Sequence, residues 1–332
     1  MERRRILLDG SVTPMVVDGD DLVAGDGRRV AESEAVHLPP SEPSKILCVH
    51  LNHVSRVEEF QVSLPAAPTY FQKPTSALNG HRGDVVRPDR CRWLNYEGEI
   101  VIVIGEPCRN ISPAEAGDHI AGYTIGNDYG LHDFRDTDAG SMLRVKGSDT
   151  LCPVGPGLVT DWDFRSKGIR TLVNGEVAQD GNTDEMTWDM HYLVADLART
   201  ITLLPGDMVF SGTPANSRPV QPGDVVTVEV EGLGSLTNTI VNGPTSVRDD
   251  CGAQPTESEE VLSTALGALS GFIGIYLSYY IDVSSGASVV LVEAALFALA
   301  MAYSNLKGQI PFAGRRLATV PAMQQSEPDS ID

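Results

Sequence analysis

Residues 96–150 read YEGEIVIVIGEPCRNISPAEAGDHIAGYTIGNDYGLHDFRDTDAGSMLRVKGSDT, and the head of this stretch decides what the chain is built on. Glu97 and Glu99 stand two apart at the start of an apolar run, residues 100–104. Side chains alternate between the faces of a strand, so a strand here points both carboxylates the same way. A second apolar run, residues 121–125, ends in Asn127 and Asp128 and brings a third carboxylate to a strand end. With no His or Cys among the three, the set suits a hard cation, Mg²⁺ or Mn²⁺, better than Zn²⁺. Taken alone, the same pattern also fits the solvated face of an edge strand.

Working outward, five ordered blocks carry a resemblance: LNYEGEIVIVIG, GYTIGNDYGLHDF, LRVKGSDTLCPVGPGLV, LVNGEVAQDGNTDEM and LLPGDMVFSGTPAN. In order and spacing they resemble the fumarylacetoacetate hydrolase family over residues 45–241. The resemblance implies a metal held by Glu97, Glu99 and Asp128, a lysine at Lys146 that meets the substrate, and a threonine at Thr213 that binds a substrate carboxylate. It also implies a mixed β-roll and a homodimer. Many family members carry, after an LNY, a histidine and then a glutamate that work as an acid–base pair on water. Here Glu59 keeps the glutamate position and Arg56 stands where the histidine would be. An arginine carries no proton acceptor and cannot serve as general base.

LNHVSR and NDYGLHDF therefore resemble more closely the branch of isomerases and decarboxylases that act on hydroxymuconate-type diacids. The expected catalytic residues are Lys146, Glu59 and Arg56, and the expected substrate-binding residues are Arg135, His132, Thr213 and Tyr129. Arg56 and Arg135 could grip the far carboxylate of a diacid in bidentate fashion. Each could equally pair with local acids such as Glu58 or Asp133. The reaction expected is isomerisation, or decarboxylation, of a 2-oxo or 2-hydroxy-dienoic diacid through an enolate. A C–C hydrolase of the fumarylpyruvate or acylpyruvate type is the alternative, and a membrane-anchored relic without activity is the third reading. His53 and His81 are weighed as acid–base candidates against solvated loop positions, and Lys73 reads as structural.

A net charge of -20 over 332 residues argues against nucleic acid, whose phosphates such a surface repels. The five cysteines, Cys48, Cys91, Cys108, Cys152 and Cys251, show no CxxC spacing and suit free thiols in a reducing compartment. The catalytic part is accordingly expected in the cytoplasm.

The chain divides, on this reading, into a small β-rich N-terminal lobe (1–44), a catalytic domain (45–241) that is mainly β with few helices, a polar linker (242–260), a hydrophobic helical hairpin (261–305) and a polar tail (306–332). Residues 261–281 form a charge-free run long enough to span a bilayer, and residues 287–303 form a second run interrupted by Glu293. This segment resembles the end of metal-ion ABC transporter permeases. It is read first as a fused fragment and second as a membrane tether, with a hydrophobic hairpin buried in an oligomer as the third reading.

Overall fold

The computed structural model describes residues 1–64, 66–244, 257–281, 290–292 and 294–295, with side chains of the 257–281 helix described only over 268–280. The chain separates into two compact units, Met1–Gly252 and Ala253–Asp332. The first is mainly β with few helices, as expected.

Its central strand is Gly98–Ile104, buried at every position. A β-branched run buried on both sides belongs in the middle of a covered sheet, and this one lies between the antiparallel partners Ile120–Asn127 and Met208–Phe210. Ile100, Ile102 and Ile104 face a core that includes Leu193, Val194 and Leu197 of the helix Met190–Ala198. Val101, on the other face, joins Val154, Phe210 and Cys48. Glu97 and Glu99 share the parity of Val101. The helix starts where the Asp189 side chain accepts from the Tyr192 N–H at 2.8 Å, an N-cap bond. A hairpin forms between Gly168–Val173 and Glu176–Asn182, with Asn174 and Gly175 both at positive φ in its turn.

The strands of residues 1–44 are a meander with a small core of Ile6, Met15, Leu22 and Ala24. They continue the large sheet, because Glu2–Leu8 pairs with Cys152–Val159. Glu32, His37 and His81 converge beside them. Arg4 and Arg82 each donate to the Glu32 carboxylate at 2.8 Å, so an added cation would face two guanidiniums. The cluster reads as a hydrogen-bonded tie between the N-terminal strands and the loop that carries His81, whose Nδ1 accepts from the Thr237 N–H at 3.1 Å.

Burial pushes His53 down to about 4 and His81 down to about 3. In the unfolded chain both return to about 6.5, so below that pH the unfolded state binds protons that the native state refuses. Stability then falls as pH falls. Together the two rings should remove about 3 kcal/mol per pH unit between roughly pH 6.5 and pH 4. Urea unfolding across that window measures the slope. The double variant His53→Gln/His81→Gln should lose that part of it, and an unchanged slope would refute the assignment.

In the second unit, helix Glu257–Ile281 covers the first apolar run, and Phe272, Ile275 and Tyr279 on it are exposed. The expected membrane span finds no support here: among the described residues no helix is long and apolar enough to cross a membrane. Most of the second arm of the expected hairpin, and all of the 306–332 tail, lie outside the described residues.

Candidate active site

Antiparallel register assembles the site. Gly98 pairs with Asn127, which sets Glu97 opposite Asp128. The Asp128 N–H donates to the Glu97 carbonyl at 2.8 Å, and the Glu97 N–H donates to Asn127 Oδ1 at 2.8 Å. Carboxylate oxygens of Glu97, Glu99 and Asp128 lie within 4.8 Å of one another, all three residues being buried.

Two buried lysines serve this acidic cluster. Lys146, the last residue of the short helix Leu143–Lys146, donates from Nζ to Glu97 Oε2 at 2.5 Å, to Asp128 Oδ2 at 2.7 Å and to the Asp128 carbonyl at 3.0 Å. Lys73 ends the strand Tyr70–Lys73 and donates to Asp128 Oδ1 at 2.5 Å and to the Tyr129 carbonyl at 3.2 Å. Burial alone would raise the Glu97 carboxyl, but Lys146 and then Arg56 outweigh it and hold it at about 2. Burial opposes the charge of Lys146 too, yet Asp128 and Glu97 raise its ammonium above the usual lysine range.

Glu99 goes the other way. Burial first, then the charges of Asp128 and Glu97, push its carboxyl well above the usual range. Its carboxylate accepts from the Gly212 N–H at 2.7 Å, and among the described residues no cationic side chain lies within ion-pair distance of it. A buried acid facing two others, with a backbone amide as its donor, fits a shared hard cation.

A cavity of about 320 Å³ opens on this cluster, walled also by His50, Arg56, Phe60, Phe71, His132, Arg135, Asp136 and Thr213. The volume is at the small end for ligand sites, suited to a compact acid. Thr213 Oγ1 accepts from Gln179 Nε2 at 3.0 Å, which leaves its own O–H to donate. Gln179 also accepts from the Gly98 N–H at 3.2 Å, so the hairpin strand Glu176–Asn182 ties the turn at Thr213 to the head of the central strand. Gly212 holds that turn at φ +94°, where a Cβ would come within 2.8 Å of Asn52 Cβ. Only glycine fits there.

Arg56, on helix Val54–Phe60, donates to Glu59 Oε2 at 2.7 Å and to Glu97 Oε1 at 3.0 Å. Its guanidinium also lies 4.4 Å from the Phe60 ring centre, and that of Arg135 lies 4.5 Å from the same ring. Arg135 is exposed and has no carboxylate partner among the described residues. His132 Nε2 lies 3.7 Å from Glu97 Oε1, and burial lowers that imidazole to about 4.

The structure thus brings Glu97, Glu99, Asp128, Lys146, Arg56, His132, Arg135 and Thr213 together, and sets two expected residues elsewhere. Glu59 does not line the cavity; its carboxylate is taken by Arg56, by Arg218 Nη1 at 2.6 Å and by the Asn216 N–H at 3.1 Å. Tyr129 is fully buried in an apolar cluster with Leu94, Leu131 and Val226, because the residue after Asp128 alternates to the other side of the chain. Nor do His53 and His81 reach the cavity, since both pack inside the fold. Lys73, read from sequence as structural, holds Asp128 directly. His50, Asp136 and Gln179 were not anticipated. The one signal for His50 was a polar residue closing the apolar run of residues 46–49.

Comparison with known proteins places these features in context. The 4-hydroxyphenylacetate degradation bifunctional isomerase/decarboxylase of Escherichia coli is 37% identical over 224 residues, covering 67% of this chain and 52% of that protein. The X-ray structure of 5-carboxymethyl-2-hydroxymuconate delta-isomerase from Mycobacterium smegmatis superposes with a TM-score of 0.68 at 36% identity, covering 74% of this chain and all of the other. That of 2-hydroxyhepta-2,4-diene-1,7-dioate isomerase from Mycobacterium marinum gives 0.67 at 35% identity, again over 74% of this chain and all of the other. Residues 240–304 match the ABC 3 transport family. Residues 45–241, which hold the carboxylate cluster, both lysines and the turn at Thr213, match the family described as fumarylacetoacetate (FAA) hydrolase C-terminal, and the chain belongs to the fumarylacetoacetate hydrolase family.

Proposed function

We propose that the protein is a divalent-metal-dependent isomerase of a hydroxymuconate-type 2-oxo or 2-hydroxy-dienoic diacid, with decarboxylation as a further outcome at the same site. The observation that carries this reading is the juxtaposition, in one cavity, of the three-carboxylate cluster and the guanidinium of Arg135, which has no carboxylate partner among the described residues. Glu97, Glu99 and Asp128 would hold Mg²⁺ or Mn²⁺, which when bound supplies positive charge where the oxyanion of an enolate develops.

The protein's own groups do the rest. Thr213 donates its hydroxyl to the C1 carboxylate. Lys146 sets the orientation of Glu97 and Asp128 and adds a fixed positive charge beside the reacting oxygen. Arg135, stacked on Phe60, takes the far carboxylate, and Arg56 is held as the other side of that stack by Glu59 and Glu97. Arg56 at the place of a general base disfavours water-driven C–C cleavage, since a guanidinium has no lone pair to accept a proton. A homodimer, resting on the family resemblance, and a cytoplasmic location, resting on the cysteine pattern, belong to the same proposal.

The test uses the full chain, stripped with EDTA and assayed with and without Mg²⁺ or Mn²⁺ on 5-carboxymethyl-2-hydroxymuconate and on an acylpyruvate. Metal-dependent conversion of the hydroxymuconate at unchanged mass supports the isomerase, and release of CO₂ the decarboxylase. Cleavage of the acylpyruvate alone would overturn the reading in favour of a hydrolase. Arg135→Ala should raise KM for the diacid by roughly 10–100-fold with kcat little changed, the cost of losing a charged contact. An unchanged KM would remove Arg135 from the substrate.

A further inference from the structure

Isomerising a 2-hydroxy-2,4-diene acid moves one proton. The 2-hydroxyl gives up its proton, the C2–O bond becomes a carbonyl, the double bonds C2=C3 and C4=C5 become a single C3=C4, and the electron pair released at C5 takes a proton. Atoms and charge balance without any co-reactant. The step does need a group in the cavity that both accepts and donates, and that is not already committed to a protein partner.

Most of the cavity's ionisable groups are committed. Lys146 gives its protons to Glu97 and Asp128, Arg56 is bound to Glu59 and Glu97, and His132, whose Nε2 lies 3.7 Å from Glu97 Oε1 without a hydrogen bond, stands beside a proposed metal ligand. Glu97, Glu99 and Asp128 are the proposed metal ligands.

His50 stands apart from these. It follows the strand Ile46–Val49, and its N–H donates to the Thr69 carbonyl at 2.9 Å. Leu51, next to it, is held at φ +50°, a conformation that non-glycine residues adopt rarely and that clusters at functional sites. The ring rests on Phe71, with centres 4.7 Å apart, and lines the cavity half-buried. Among the described residues no protein group hydrogen-bonds to either ring nitrogen.

We infer that His50 is the catalytic residue that carries the substrate's proton from oxygen to carbon, doing what Arg56 cannot do. Burial, then the charge of Lys146, lowers the imidazole from its ordinary value, which favours the neutral, accepting form at neutral pH. The inference rests on the isomerase reading and deepens it.

The experiment compares full-length wild type, His50→Gln and His50→Ala with Mg²⁺ and the diacid in D₂O. It follows kcat, KM, Mg²⁺ affinity and deuterium entering the product carbon by mass. His50→Gln should lose about 10²–10⁴-fold in kcat, with KM and Mg²⁺ affinity within about threefold and deuterium entry falling in step. Free imidazole should restore part of the activity of His50→Ala, a rescue that a merely structural role would not show. His50→Gln with kcat within about threefold of wild type overturns this inference alone. A wild type that does not convert the diacid overturns the isomerase reading and this inference with it.

Discussion

Glu99→Ala is expected to abolish turnover, by at least about 10³-fold, and to weaken Mg²⁺ or Mn²⁺ binding by more than about 100-fold. Glu99 is buried on the central strand, and its carboxylate lies within 4.8 Å of two others. Among the described residues no cationic side chain lies within ion-pair distance of it, and burial with the two neighbouring carboxylates outweighs the charge of Lys146, so its own charge is tolerated only at a cost. Because the folded-state carboxyl is pushed up, the native state holds a proton that the unfolded state releases above its own, lower value, and the metal-free protein loses stability as pH rises from there. Removing the carboxylate should therefore stabilise the metal-free protein near pH 8 while removing the stabilisation that Mg²⁺ gives the wild type. Calorimetric titration with Mg²⁺ and thermal unfolding with and without the ion read the two effects separately. Full activity, or unchanged metal affinity, would reject the metal assignment.

Lys146→Met should cost both activity and fold. Its ammonium makes three hydrogen bonds to Glu97 and Asp128, and methionine fills much of the space with none of the charge. Stranding buried carboxylates after removal of one partner costs about 3–5 kcal/mol, which for a unit of this size lowers Tm by on the order of 10 °C. Activity should fall by about 10²–10³-fold through the loss of a fixed positive charge beside the reacting oxygen. The readouts separate: added Mg²⁺ should recover part of the lost Tm, because it supplies the missing charge, but little of the lost kcat. A variant with wild-type Tm and kcat would mean that Lys146 is a bystander.

The central architecture was legible because its signals are local. The run of residues 100–104 reads as strand from its composition, and the two-residue spacing of Glu97 and Glu99 puts them on one face whatever the rest of the chain does. Asn174-Gly175 announces its hairpin, and Asp189 announces the helix that begins at Met190, through backbone preferences that need no distant partner.

The residues set away from the cavity share a cause. Glu59 and Tyr129 sit in segments that resemble functional ones, but a side chain's destination depends on what packs around it. Arg218, far along the chain, captures Glu59, and the apolar cluster around Leu94 and Val226 takes Tyr129. His81, read as a mobile loop residue near the site, is instead closed against His37, their ring centres 4.9 Å apart.

The sequence by itself determined the kind of chemistry: three hard oxygen donors on neighbouring strand ends, a lysine and a threonine in recognisable blocks, and a guanidinium where a base would stand. Only the tertiary structure decided which groups line the cavity. Antiparallel register closed the distance between Glu97 and Asp128, Gln179 fixed Thr213 across 34 residues of chain, and the turn after Val49 left His50 free in the cavity wall. Periodicity along a chain sets faces, but the partner that satisfies or spares a buried polar group comes from contacts distant in sequence.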